Sequence, residues 1–363
     1  MKTQENILPF KATHPGSLIK DELEVRSDIN QRELAKQLGV KASLLSEVIN
    51  GKRSITADMA VLLEKVLEIP ASYWMRFQSQ YDIDKARIKE RNLVQAKNIE
   101  IWNIIKEYVP IKYFKKLGYL TESIQDDISK IKEIYFVNNI EDLVEAYTQS
   151  KHAFYRKSDK LQINEKNLFA WSSIAIYEAG LQELNVFKFD NLNQLCIELN
   201  DIFYRNNNTL EEVRKLLNLY GIKLILLDKF DKTPVDGFSF WSGSNPAIAL
   251  TLRHTRIDNF AFTLMHEIAH INLHLRIDKT KRILDINGKN VDCIYEKEAD
   301  LFAQKSLIPI DCWENFKNRL PLTDNDIFEI SENYKINPAI ILGRCCFESG
   351  NYAVRTKIDK KLY

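Results

Sequence analysis

The sequence is short of cysteine, long apolar runs and net charge, and each shortage closes off a class of protein. The five cysteines, Cys196, Cys293, Cys312, Cys345 and Cys346, are odd in number, two are adjacent, and none forms a CxxC pair. That pattern supports neither a disulfide framework nor a thiolate zinc site. It fits free thiols in a reducing compartment. No uninterrupted apolar stretch approaches the roughly eighteen residues of a membrane helix, and the opening MKTQENILPFKATHPG lacks the apolar core of a secretory signal. The expectation is a cytoplasmic protein with no membrane partner. A formal net charge of +1 excludes a chain that is basic throughout, so any nucleic-acid contact must rest on a local patch.

What remains is an ordinary globular composition, 45% hydrophobic and 28% charged, in 363 residues. That length exceeds one typical core and predicts two or three domains. Residues 1–90 read as short helices between turn signals: 17–26 after His14-Pro15-Gly16, 31–39, 41–51, and 56–67 with Thr56 as N-cap. In the first of these, Leu18, Ile19, Leu23 and Val25 are the apolar positions. Residues 91–205 are rich in Lys, Glu, Ile, Leu and Tyr at helical spacing, with no repeat and no chemical signature, and read as a helical connector. From 206 the texture changes. A helix over 210–219 precedes three strand-like runs at 221–228, 234–241 and 246–252, bracketed by Asp, Gly, Ser and Pro. A helix over 258–275, with Asp258 as N-cap, and another from Tyr295 to before Pro309 follow. The fold expected is multidomain: an all-α head over 1–90, a helical connector over 91–205, and an α+β domain with a small sheet over 206–363.

Chemistry concentrates in Thr263-LMHEIAHINLHL-Leu275, which holds three of the six histidines. Residues four apart share a helix face, so His266 and His270 project together one turn apart. Leu264, Ile268, Ile271 and Leu275 form the opposite, core-facing stripe. In H-E-x-x-H, two neutral imidazoles hold zinc and the glutamate, here Glu267, takes a proton from the water that zinc activates. Catalytic zinc needs a third protein ligand, and Tyr295-EKEADLFAQKSLIP-Pro309 offers one. Glu296 and Asp300 are four apart on one face. Glu296 is the expected ligand, and Asp300 the expected hydrogen-bond partner for the far nitrogen of a ligating histidine. Glu298 and His274 remain alternatives to Glu296.

HEIAH followed by E-K-E-A-D-L-F-A…L-I-P, with the later Asn337-PAIILGR-Arg344, resembles the ImmA/IrrE zinc metallopeptidases across about 210–345. The resemblance implies a zincin-like domain that cleaves a partner protein, often a repressor. It assigns Glu267 as general base and His266, His270 and Glu296 as zinc ligands.

At the other end, Gln31-RELAKQLGV-Val40 and Lys41-ASLLSEVINGKR-Arg53 have helix-turn-helix spacing, with Gly39 at the turn. A second helix of this kind enters a DNA major groove while neighbouring groups hold phosphates. The pattern HPGSLIKDEL…INGKRSITADMA…YW resembles the Xre-like fold of HigA-type antitoxins over about 12–87. That resemblance implies a homodimer on its own operator and a ribonuclease toxin as partner. It places Lys41, Ser43, Leu44 and Asn50 on the recognition surface, with Lys52 and Arg53 near the DNA backbone. Family members often carry long polar side chains where this chain has Ala42, Ser43 and Leu44. Fourteen Lys/Arg against thirteen Asp/Glu over residues 1–90 leave little excess charge for phosphates.

Overall fold

A computed structural model describes residues 9–26, 28–155, 163–251, 255–286 and 294–363. Leu252, the end of the third expected strand, and Cys293 lie outside these residues. The chain divides into two compact units, Met1–Ile101 and Trp102–Tyr363. The division falls within α5, Ala71–Tyr108, a helix that also runs through position 90.

The first unit opens with α1 (Gly16–Val25), α2 (Gln31–Gln37), α3 (Ala42–Ile49) and α4 (Ala57–Leu67). Asn30 caps α2 by accepting the Arg32 and Glu33 amides, and Thr56 caps α4 by accepting that of Met59. Gly39 joins α2 to α3 at φ +69, a left-handed conformation that side chains resist. Ile19, Leu34, Leu45, Val48, Leu63 and Trp74 meet in the core of this unit. Val25, one of the apolar positions of this helix, is 84% exposed. Six residues after Ile19 the helix has turned about 240°, which carries Val25 to the far side.

The second unit continues with α6 (Ile111–Lys116), α7 (Ile124–Tyr135), α8 (Ile140–Tyr155), α9 (Glu165–Gly180), α10 (Leu192–Arg205) and α11 (Thr209–Leu219). Helices α6 and α9 grip the loop that follows the first strand. Tyr113 stacks on Phe230 with centroids 3.9 Å apart, and Asn167 donates to the Asp231 carbonyl at 2.7 Å.

Strands β1 (Lys223–Leu226), β2 (Val235–Ser242) and β3 (Asn245–Leu250) fall inside or within a residue of the expected runs. A fourth, β4 (Ile283–Ile286), was not expected. The sheet order is β1-β3-β2-β4, with β1 parallel to β3 and the other pairs antiparallel. Helix α12 (Ile257–Ala269) lies against this sheet and passes directly into a π-helical segment, His270–Leu275. Leu264, Ile268, Ile271 and Leu275 are fully buried, as their spacing required. The opposite side of α12 is covered by α13 (Ile294–Leu307), after which come α14 (Ile310–Phe316), α15 (Asp324–Tyr334) and α16 (Pro338–Ser349).

Asp258 does not cap α12. The residue before the helix is Arg256, and Asp258 sits in the first turn, where its carboxylate pairs with the Arg256 guanidinium. The cause is the C-terminal strand-like segment. The Ile257 amide donates to the Lys360 carbonyl and Arg256 bridges Lys361, so the entry to α12 is satisfied by backbone rather than by a side-chain cap.

Candidate functional site

The three elements α12, α13 and β2 converge on one buried cluster. Helix α12 and the π-helical segment that continues it point His266 and His270 toward α13, which supplies Glu296 from its first turn. His266 Nε2 lies 3.1 Å and His270 Nε2 3.7 Å from the same Glu296 oxygen, and the two nitrogens are 3.0 Å apart. All three residues are buried.

The outer nitrogens of both rings are also engaged. His266 Nδ1–H donates to Asp300 Oδ1 at 2.9 Å, and His270 Nδ1 lies 2.9 Å from His274 Nδ1. His274 Nε2 is 3.1 Å from Glu298 Oε2. Glu298 and His274, the two alternatives to Glu296, therefore meet each other and stand outside the cluster.

Burial opposes charge on His266, yet its hydrogen bonds to Asp300 and Glu296 overcome this and raise its pKa to about 11. Burial would lift Glu296 as well, but the His266 and His270 bonds pull it down to about 2. Burial keeps His270 below the usual imidazole range. In its charged form His266 thus places a proton on Nε2 beside Glu296 and His270. Loss of that proton leaves two imidazole lone pairs and a carboxylate oxygen directed at one point. A donor set of two nitrogens and one oxygen fits zinc.

Glu267 lies on the sheet side of the cluster, its carboxylate within 4.8 Å of a His266 ring nitrogen. It is fully buried, Ser239 Oγ–H lies within hydrogen-bond reach of its Oε2, and its Oε1 has no hydrogen-bond partner among the described residues. Burial raises this carboxyl to about 8, against the pull of the His266 charge. Room for it exists because position 237 is glycine: a methyl group there would overlap the Glu267 carboxylate. Gly237→Ala is therefore expected to destabilise the fold by about 1–3 kcal/mol through overpacking, read as a lower melting temperature. An unchanged melting temperature would show that the carboxylate has space to move.

Sequence reasoning missed two contributors. Ser239 lies two residues beyond Gly237 on β2, on the same face of the strand. Asp285 lies on β4 opposite Gly237, and one of its oxygens falls within 4.8 Å of ligand atoms of both His266 and Glu267. Burial pushes Asp285 up to about 7. Its trace in the sequence is a single Asp among the apolar residues of Ile283-Leu284-Asp285-Ile286, a run of only four. A cleft of about 630 Å³ leads to the cluster, reaching His266, Glu296, Asp285 and Asp300 and walled by apolar groups such as Phe262 and Ile340.

In the first unit, Lys41, Ser43 and Lys52 are exposed at and beyond the two ends of α3. Leu44 is half-buried and packs against the core of this unit. Asn50 Nδ2–H donates to the Ser46 carbonyl at 2.8 Å, and Arg53 Nε–H to Glu47 at 2.9 Å. His14 of the HPG element accepts the Gly16 amide at 2.9 Å and sets its ring edge on Tyr81, which gives that element a structural reason.

Residues 19–74 match the helix-turn-helix family model, and residues 219–345 match that of the IrrE N-terminal-like domain. A 73-residue stretch is 44% identical to virulence-associated protein A' of Dichelobacter nodosus, covering 20% of this chain and 63% of that protein. Over 90 residues the chain is 30% identical to the HTH-type transcriptional regulator YbaQ of Escherichia coli K12, covering 25% of this chain and 80% of that one. The chain belongs to the helix-turn-helix transcriptional regulators. Its second unit adds an IrrE N-terminal-like domain, which contains the whole histidine cluster. Among solved structures, the antitoxin HigA of Pseudomonas aeruginosa with its promoter is 30% identical, covering 24% of this chain and 94% of that chain, at a TM-score of 0.22. No helix among the described residues is long and apolar enough to cross a membrane.

Proposed function

We propose that this regulator is a two-function protein, a DNA-binding head and a zinc-dependent endopeptidase that cleaves a partner protein. The observation that carries the peptidase half is the convergence of His266, His270 and Glu296 beside a separate, buried Glu267. Residues 1–90 are the proposed head, 91–205 a connector and 206–363 the peptidase domain. The sequence resemblance supports operator binding as a homodimer and a ribonuclease toxin as partner. The exposed Lys41, Ser43 and Lys52 support the DNA-facing role.

Zinc at this site would be held by His266, His270 and Glu296, and when bound supplies Lewis acidity that acidifies water and polarises a peptide carbonyl. Asp300 holds the His266 ring so that Nε2 faces the cluster. Glu267, with its pKa raised to about 8, is matched to accept a proton near neutral pH and to return it to the leaving amine. The cleft of about 630 Å³ is the proposed seat of a peptide segment.

The test is zinc titration of the full chain. One equivalent should bind, and His270→Ala should weaken binding at least about a hundredfold, since a zinc site worth 10 kcal/mol or more is divided over three ligands. Equal affinity in the two proteins would remove the assignment. The same titration carries a proton signature. Because the bonds to Asp300 and Glu296 keep His266 protonated well above the usual imidazole range, zinc binding at pH 7 is expected to release protons, at least the one on His266. Calorimetry in buffers of different ionisation enthalpy measures that release, and a value of zero would contradict the proton placed on His266.

A further inference from the structure

We propose that His274 and Glu298 form a positioning pair that fixes the tautomer and orientation of His270, an inference that rests on the metal centre proposed above. His274 is 2% exposed and packs on Tyr295 with ring centroids 4.5 Å apart. The Glu298 carboxylate only accepts, so His274 Nε2, 3.1 Å away, carries the hydrogen. A neutral imidazole with its hydrogen on Nε2 has an acceptor at Nδ1. With His274 in that neutral form, His270 Nδ1, 2.9 Å from the acceptor, is the donor. The hydrogen of His270 is thereby committed to the outer nitrogen, and its Nε2 lone pair faces Glu296 and His266. Asp300 imposes the same tautomer on His266 directly. One ligating ring is held by a carboxylate and the other by a carboxylate acting through a third imidazole.

The arrangement uses the π-helical segment. His270 and His274 both belong to His270–Leu275, and the segment ends the stretch in which α12 is a regular α-helix. Such segments recur at functional sites because they re-aim side chains. Here the two rings are brought close enough for an Nδ1-to-Nδ1 hydrogen bond.

The experiment is zinc affinity by chelator competition on the full chain, with unloaded melting curves as the folding control. Glu298 is 51% exposed, so its variants test the pair without risking the core. Glu298→Ala and His274→Leu should each weaken zinc binding by about 10–100-fold, the usual effect of losing a ligand's outer partner. Glu298→Gln should stay within about threefold of the unsubstituted chain, because its amide oxygen still accepts from His274. A Glu298→Ala protein that binds zinc like the unsubstituted chain removes the positioning pair and leaves the metal centre standing. A Glu298→Gln protein as weak as Glu298→Ala overturns the tautomer argument in favour of simple charge. Failure of the unsubstituted chain to bind zinc overturns the centre and this pair together.

Discussion

Glu267→Gln is expected to slow peptide cleavage by about 10²–10⁴-fold, the range for loss of a positioned general base, with zinc affinity held within a few-fold. The side chains are nearly isosteric, and an amide oxygen can keep the bond to Ser239 Oγ. What the amide loses is the ability to take up a proton. The three proposed ligands are untouched, so binding and catalysis should separate. Stability gives an independent check. A carboxyl whose folded pKa is raised to about 8 opposes folding once ionised; the cost is absent below its unfolded value and grows as pH rises through the folded one. The Gln variant should therefore melt no lower than the parent at pH 8, and the difference should shrink toward pH 5. Cleavage of a quenched-fluorophore peptide library, followed by melting curves at both pH values, measures the two effects. Undiminished cleavage in the variant would remove Glu267 from the reaction.

The core of the site was legible in sequence because helical periodicity fixes faces. His266 with His270, and Glu296 with Asp300, are pairs four apart, the first spanning the end of α12 and the start of the π-helical segment and the second on α13, and each pair meets the other. The choice between Glu296, Glu298 and His274 was not legible. It depends on the rotation of α13 against α12 and on a change from α to π turns at His270, and neither is encoded in a residue pattern. Asp285 was invisible for a different reason: β4 is four residues long, too short for alternation to stand out, and its pairing with β2 is non-local. Asp258 misled because an Asp before an apolar run has two uses. Here its partner is Arg256, and the helix entry is satisfied by residues near 360. In the first unit, Leu44 read as a surface residue by resemblance, whereas the structure tucks it partly against the core.

Operator binding should fall steeply with salt, by about 10³-fold between 50 and 200 mM, if Lys41, Lys52 and Arg53 from each half of a dimer neutralise about six phosphates. The estimate follows from a log–log slope near −0.9 per phosphate, hence about −5 for the pair of heads. The three cations are not equivalent. Lys41 stands exposed just before α3 and Lys52 beyond its end, whereas the Arg53 guanidinium is already bound to Glu47. Engaging a phosphate through Arg53 must displace that carboxylate, which gives back part of the gain. Lys41→Ala and Lys52→Ala should each make the slope shallower by about 2 per dimer, and Arg53→Ala by less. Glu47→Gln should tighten binding, because it frees Arg53 and removes a negative charge from the same surface. Ser43, exposed at the start of α3, makes a different prediction: if it reads bases as proposed, Ser43→Ala should change which sequence is preferred while leaving the slope alone. Fluorescence anisotropy on upstream DNA across a salt series separates these outcomes. A slope near zero, or one that none of the three cation substitutions alters, would take the DNA contact away from this face of the head.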